Sequence, residues 1–420
     1  MLKQVVKIGL AFVGIIIGAG FASGQETMQY FVAFGAWGIV GAIVSSLIMI
    51  IAGVSLMQLG SYYQAKEHMS ALANVSSRAV TLLLDVSTTV TLFAVGFIMF
   101  AGAGSNLNQQ FGWPLWAGAA LMLALVLVVG LLDVDRVTYV IGFITPFIFV
   151  FILIATGWAI ANASPDITAL NVASQEVSTT LPNWWVAALN YTGFNVITAT
   201  SMAIVIGGSF LDTKVAGWGG LFGGLIYLAL LLLLAVSLFF EVELVNGDDL
   251  PALTLINQIN PALGVAMAVV IYGMIFNTAI SMFYALGKRL TKGRPKRFYP
   301  VFVVACLVGF ILSFVGFKEL IGFIYPLLGY LGLFLIAVVT VAWLRGRSRL
   351  STEQRLRIQA LDLTRRKLDS TLRFSSLQQR ELAELAASSH LPDDAFLDAV
   401  QQEVERELRA RRRTIVEDPR

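Results

Sequence analysis

Within the first long apolar stretch of this 420-residue chain stands Gly18-Ala19-Gly20-Phe21-Ala22-Ser23-Gly24-Gln25-Glu26, where glycines, polar side chains and an ionisable carboxyl interrupt hydrocarbon surroundings. A helix in lipid must satisfy its own backbone, so such a segment reads as an unwound stretch, tolerated only where protein or a wet cavity supplies partners. Unwinding bares the N–H groups that open one half-helix and the carbonyls that close the other, offering a partial positive and a partial negative pole. A zwitterion, or a cation with an anion, can bind there without a full protein charge. Glu26 could hold a substrate amine, carry a coupling proton or hydrogen-bond the broken backbone. The sixth apolar stretch holds Asn190-Tyr191-Thr192-Gly193-Phe194-Asn195, a second candidate interruption. Two interrupted helices at corresponding places point to a binding site for a transported solute, whereas either alone is equally served by close helix packing through small residues. The transport inference rests on both helices opening.

Further candidates for the wall of such a site are Thr88 and Thr91 in the third stretch, with Phe97 a turn or two farther along. Asp85, about a third of the way into that stretch, is expected to pair with Lys3 or Lys7 as a gate, with a proton relay as the alternative. Cys306 is the single cysteine, and His68 and His390 are the two histidines. A disulfide framework, a zinc site and a haem site are therefore not expected. No set of nucleophile, base and oxyanion donors is visible, so the chain is not expected to be an enzyme or to bind nucleic acid.

The elements that must position these residues are membrane helices. With 57% hydrophobic and 13% charged residues, the composition is that of a polytopic membrane protein. Apolar runs of about 20 residues predict ten spans, at roughly 5–34, 37–60, 79–106, 114–132, 137–160, 184–210, 216–240, 263–288, 299–316 and 320–344. The first resembles a secretory signal at its start, but its apolar stretch continues past Phe31, so it is expected to be retained. Lys3, Lys7, Lys66, Arg78, Arg136, Lys214, the Lys288–Arg297 cluster, Arg345, Arg347 and Arg349 all fall on one side of this arrangement, and Lys318 stands on the other. Both termini are therefore expected to be cytoplasmic, in a bacterial plasma (inner) membrane.

The apolar segments repeat. Ile141-Gly142-Phe143-Ile144-Thr145-Pro146 returns as Ile321-Gly322-Phe323-Ile324-Tyr325-Pro326, and Trp37-Gly38 returns as Trp218-Gly219. A nearly constant offset implies two halves of five spans, about 5–160 and 184–344, and an odd number per half inverts the second. After Arg345 the composition becomes charged and helix-forming, so 346–420 reads as a separate cytoplasmic helical segment behind a 1–345 membrane domain. Pro392-Asp393-Asp394 is a helix start, and Phe396, Val400, Val404 and Leu408 recur at helical spacing. Leu361, Leu368 and Leu372, then Leu382 and Leu385, mark two earlier amphipathic helices. This segment could form a homo-oligomeric arm or dock a cytoplasmic partner, and Arg409, Arg411, Arg412 and Arg413 could touch anionic lipid.

At the interrupted stretches, Gly18–Glu26 and Asn190–Asn195, the chain resembles the amino acid, polyamine and organocation transporter superfamily with the LeuT fold. Its Ile17–Glu26 segment is similar to the first-helix signature of YkvI-like bacterial membrane proteins. The resemblance covers residues 1 to about 345. It implies a sodium ion between the first and eighth helices, held by the carbonyls of Gly14, Ile17 and Met274 and by side-chain oxygens of Asn277 and Thr278, with Ser281 a weaker candidate. The family pattern has two adjacent hydroxyls there, and Asn277 departs from it. The segment from Asp248 to Pro261 resembles the outer re-entrant cap of that fold. The function expected from these observations is secondary active transport of a small amino acid or related amine, coupled to sodium or protons. The alternative is a receptor or sensor of the same fold that signals through 346–420.

Overall fold

The computed structural model describes residues 2–65, 78–131, 145–162, 166–369 and 373–417. Lys66, His68, Arg136, the Ile141–Ile144 portion of the repeat, Leu372 and the side chains of Arg411, Arg412 and Arg413 lie outside that description. The described residues are helical, and seven helices among them are long and apolar enough to cross a membrane: Ala36–Tyr63, Val80–Phe111, Trp184–Gly208, Thr213–Phe240, Pro261–Leu290, Pro295–Val315 and Phe317–Leu368. Two shorter apolar helices, Leu115–Val129 and Pro146–Asn162, lie at the expected fourth and fifth spans.

The first span is discontinuous. Helix α1 (Leu2–Ile16) is followed by two short pieces, α2 (Ala19–Ser23) and α3 (Gln25–Tyr30). Gly18 is extended, and Gly24 adopts a left-handed conformation at φ 81°, which a residue without Cβ takes up freely. Helix α4 (Ala36–Tyr63) turns back immediately, because Gly38 lets the Phe31 carbonyl approach to 1.8 Å from where a Cβ would stand.

Next come α5 (Arg78–Phe111), α6 (Leu115–Val129), α7 (Thr145–Asn162) and α8 (Ile167–Ser174), followed by α9 (Trp184–Gly208) and α10 (Thr213–Phe240). Asp166, Asn183 and Asp212 cap α8, α9 and α10 through side-chain oxygens. A short turn α11 (Val242–Val245) leads to α12 (Pro251–Ile259), then to α13 (Pro261–Leu290), α14 (Phe298–Leu312) and α15 (Phe317–Leu368). Helix α9 is central, packed on α4, α15 and α1; α10 lies on α4 and α1; α13 lies on α5. The Trp-Gly echoes fall near the starts of α4 and α10, and these helices touch where Gly220 meets the Gly53 backbone.

The sixth span overturns one expectation. Asn190 to Asn195 lie inside α9, which is continuous from Trp184 to Gly208, so of the two expected breaks the structure shows the one in the first helix. Two of the polar side chains that looked like breakers fold back on the helix: Thr192 donates to the Ala188 carbonyl at 2.9 Å and Asn195 to the Tyr191 carbonyl at 3.0 Å. Such bonds are compatible with an intact ladder. Gly193 serves close packing against Gly329 and Gly332 of α15.

Helix α15 also exceeds expectation. Its 52 residues extend about 78 Å, far beyond the roughly 30 Å hydrocarbon layer. It carries Pro326 internally; the ring removes one N–H, and Thr180 donates instead to the freed Gly322 carbonyl at 2.6 Å. Beyond residue 345 the helix docks beside the ends of α4, α9 and α10. Arg357, 0% exposed, donates to the carbonyls of Ser61 (2.8 Å), Tyr62 (2.7 Å) and Leu211 (3.0 Å) and to Glu353 (2.9 Å). It adds donors at the last carbonyls of α4 and at Leu211 just past α9, and a cation is favoured at a helix C-terminus. Helices α16 (Ser376–Ser388) and α17 (Asp393–Glu417) complete a small core in which Phe396 and Val400 meet Leu382, Ala360 and Leu211.

His390 stacks on Tyr62 at 3.9 Å between ring centroids and pairs with Glu353 at 3.3 Å. Burial pushes the Glu353 carboxyl up, but the bond to His390, the Arg357 charge and the Ser389 hydroxyl outweigh it and hold the group down at about 2. A carboxyl lowered on folding stabilises the docked form above its ordinary value near 4.5 and loses that contribution as pH falls toward 2. Acidification through this window should therefore release the α15–α17 extension, read as a growing distance between spin labels on α17 and α4. Glu353→Gln should flatten that dependence; an unchanged acid transition in the variant would place its cause elsewhere.

Candidate functional site

The break in the first helix holds the site together. The Gly18 amide bonds the Ile16 carbonyl at 2.9 Å rather than that of Gly14, and the helix restarts with the Ala22 amide on the Gly18 carbonyl at 3.1 Å. Ser23 braces the second turn, donating to the Gly20 carbonyl at 2.7 Å and accepting from the Gln25 amide at 3.2 Å. Across the Gly24 turn, the Glu26 side chain folds back over α2, so that its Oε1 lies 1.9 Å from where a Cβ on Gly20 would stand. Only glycine at position 20 leaves the carboxyl room.

Helix α9 supplies the facing wall. The Tyr191 hydroxyl donates to Glu26 Oε2 at 3.0 Å, and Tyr30 donates to Asn190 Oδ1 at 3.2 Å. Asn190 in turn donates to the Pro326 carbonyl of α15 at 2.8 Å. The Tyr191 ring lies 4.9 Å from that of Tyr30 and 5.0 Å from that of Phe31, Phe21 meets Tyr227 of α10 at 6.0 Å, and Phe194 stacks on Tyr325 at 3.9 Å. Glu26 is 4% exposed. Along α3, Gln25 Oε1, Thr27 Oγ1 and Gln29 Oε1 are buried with no hydrogen-bond partner. Native interiors seldom leave such atoms alone, so they mark a place built for polar company.

Of the residues singled out in the sequence, Gly18, Ala19, Gly20, Phe21, Ser23, Gln25 and Glu26 surround the break, Tyr191 reaches it through Glu26, and Asn190 ties Tyr30 to α15. Thr192 points away: its hydroxyl is 2.9 Å from that of Ser45, in the α9–α4 interface. Asn195 is buried and bonded to its own helix. Thr88 and Thr91 likewise donate to carbonyls of α5, those of Leu84 and Ser87, each at 2.8 Å. The gate expectation is corrected. Asp85 pairs with Arg289, which also donates to the Asp85 carbonyl at 2.9 Å and thereby ties α5 to α13, while Lys3 and Lys7 are exposed on α1. The sequence reading missed Tyr30, Tyr227 and Tyr325. Tyr30 was findable, since it stands four residues after Glu26 on one helical face.

The two ends of the site differ. At one, α12 closes over the end of α5: Gln109 exchanges hydrogen bonds with the Leu250 backbone at 3.0 Å and donates to Thr254 at 2.8 Å, Asn257 donates to Gln110 at 2.8 Å, and Ser105 bonds Asp249. At the other, the face of α1 bearing Lys3, Lys7 and Gly14 is exposed, and no atom beyond the local helix lies within 4 Å of where a Cβ on Gly14 or Gly18 would stand.

No family model matches the chain. Its sequence is 25% identical over 335 residues to the uncharacterized membrane protein YkvI of Bacillus subtilis (strain 168), an alignment covering 79% of this chain and 94% of that one. Two solved structures are similar: MhsT in complex with L-phenylalanine, with a TM-score of 0.61 at 14% identity over 94% of this chain and 96% of that one, and the inward facing conformation of Mhp1, with a TM-score of 0.56 at 11% identity over 98% and 91%. The chain has the LeuT-type fold.

With that fold, a membrane-protein relative and several apolar helices, it is a multi-pass membrane protein. The LeuT-type frame makes the sodium position testable. The Gly14 carbonyl has lost the Gly18 amide to Ile16, and Asn277 Oδ1 is buried without a hydrogen-bond partner. A freed carbonyl and an orphaned amide oxygen are donors that suit a hard monovalent cation. Of the five expected ligands, Gly14 and Asn277 thus offer oxygens of suitable donor chemistry.

Proposed function

We propose that this chain is a secondary transporter that moves a small amino acid or related amine by alternating access, coupled to sodium or protons. The observation that carries the reading is the discontinuous first helix, whose Glu26 is held against Tyr191 within a LeuT-type fold. Ten spans arranged as an inverted five-plus-five repeat, with both termini in the cytoplasm of a bacterium and 346–420 on that side, complete the proposal. An unbroken α9 removes the support of two facing interruptions, so the reading rests instead on the LeuT-type fold and the one break. The first helix supplies the released backbone groups, and α9 contributes the Tyr191 hydroxyl. The asymmetry of the two ends supports a form closed under α12 and open along α1. Sodium, where it is the coupling ion, would supply a positive charge between α1 and α13, held by the oxygens of Gly14, Ile17, Met274, Asn277 and Thr278.

Purified protein in liposomes preloaded with a mixture of amino acids and their decarboxylated amines should show counterflow of the matching labelled solute. Gly20→Leu, which evicts the Glu26 carboxyl from its seat, should abolish that counterflow while leaving membrane insertion intact. Absence of counterflow for every solute in the wild type would reject the transport reading, and full activity of Gly20→Leu would reject the site.

A further inference from the structure

Glu26 differs from every other acid in the described part of the membrane region. It is 4% exposed, and the ionisable groups facing it among the described residues are all phenols: Tyr191 from α9, Tyr227 from α10, Tyr325 from α15, and Tyr30 from its own helix. The short helices α2 and α12 contribute no ionisable residue. A carboxylate in so dry a place, without a cation to pair with, is unfavourable unless it takes up a proton or meets water.

Its position makes the protonation state mechanically relevant. The carboxyl spans the Gly24 turn, with Oε1 seated over Gly20 of α2 and Oε2 accepting from Tyr191 of α9. It therefore joins both short pieces of the broken helix to the central wall. The neutral acid suits this closed seat, whereas the charged form favours any arrangement that admits water to the Gly18–Gly24 break. A ligand that binds one of two states better shifts the balance between them, and here the ligand is the proton.

We propose that Glu26 is the coupling site for a proton, which binds the carboxylate when the broken helix is open to one aqueous side and leaves as the helix opens to the other. The proposal rests on the transporter reading, and it names the coupling ion that reading leaves open. The step is a simple protonation, carboxylate plus proton giving the carboxylic acid, with no other bond changed.

The test uses the full chain in liposomes, with a labelled mixture of amino acids and their decarboxylated amines as probe. Wild-type uptake should rise under an imposed inward proton gradient, and in Glu26→Gln the ratio of uptake with and without the gradient should fall to about one, because the amide has no exchangeable acid state. Infrared difference spectra of the detergent-purified protein across a pH titration provide the second arm. A protonated-carboxyl band that comes and goes with pH in the wild type should be missing in Glu26→Gln, and Tyr191→Phe should move its midpoint without removing it. A gradient response in Glu26→Gln equal to wild type, or the same titrating band in both proteins, would overturn the proposal. Should Glu26→Gln transport nothing, the infrared arm alone decides. Wild-type counterflow that responds to sodium and not to protons would overturn it while leaving the transport reading intact; a wild type without any counterflow would remove the reading itself.

Discussion

Replacing Gly193 with leucine should prevent α9 and α15 from seating, with a stability loss of about 3 kcal/mol or more. A Cβ at this position would lie 2.1 Å from the Gly329 carbonyl oxygen and 2.8 Å from the Leu333 amide, and in the reverse direction a Cβ on Gly332 would lie 1.8 Å from the Gly193 carbonyl. These are backbone atoms, so the clash has no flexible side-chain end to yield. Association of helices within lipid depends on packing and interhelical hydrogen bonds rather than on hydrophobic expulsion. Forcing this pair apart also strains the Asn190 bond to the Pro326 carbonyl and the Phe194–Tyr325 stack. The variant should melt well below wild type in detergent and lose its monodisperse elution. Gly346→Leu is the control, since nothing lies within 4 Å of its Cβ position on the same long helix. Equal melting of Gly193→Leu and Gly346→Leu would show that the backbones are not in contact.

Arg357→Ala should be the other severe change, at about 3–5 kcal/mol for a buried charge partner removed. The Tyr62 and Leu211 carbonyls would lose this donor, while the Ser61 carbonyl would keep Gln64 and the Glu353 carboxylate would keep Ser389 and His390. Truncation is worse than simple deletion of an interaction, because each unpaired group keeps its full desolvation cost. The extension would then depend on Gln354, whose side chain bonds Thr213 and Asp212, and on the apolar contacts of Phe396 and Val400. Limited trypsin digestion should cut the variant between α15 and α16 under conditions that leave wild type intact. Arg357→Lys should recover only part of the protection, since one ammonium cannot reproduce a planar fork that reaches four acceptors. Wild-type digestion kinetics in Arg357→Ala would mean that the extension is held by its apolar core alone.

Much of the architecture is legible in one dimension, for a common reason. Where lipid is the solvent, backbone satisfaction and hydropathy act locally, so apolar runs, proline and glycine punctuation and capping residues report helices directly. The first-helix break belongs to this class: two glycines at conformations outside the regular helix, with Ser23 at hand to bond the loosened turn, are visible as Gly18, Gly24 and the polar residues between them. The amphipathic faces of α16 and α17 were also legible, because Leu382, Phe396, Val400 and Val404 recur at helical spacing and are buried.

The misreading at Asn190–Asn195 has an equally physical cause. Glycine in a membrane helix marks either a break or a close approach, and Asn or Thr either frees the backbone or bonds the carbonyl one turn back. Which of each pair holds depends on the neighbour: Gly329 and Gly332 on α15 make Gly193 a packing residue, and Ser45 on α4 claims Thr192. Asp85 illustrates the same limit, since any of several cations could meet it, and the α5–α13 packing selects Arg289. What the amino-acid order determined alone is the membrane character, the apolar helices among the described residues and the break at Gly18–Gly24, because those follow from interactions within a turn or two. What the tertiary structure decided is that the carboxyl at that break lies against Tyr191 and that a distant arginine closes the end of α4, because a buried polar atom's partner comes from whichever helix packs over it.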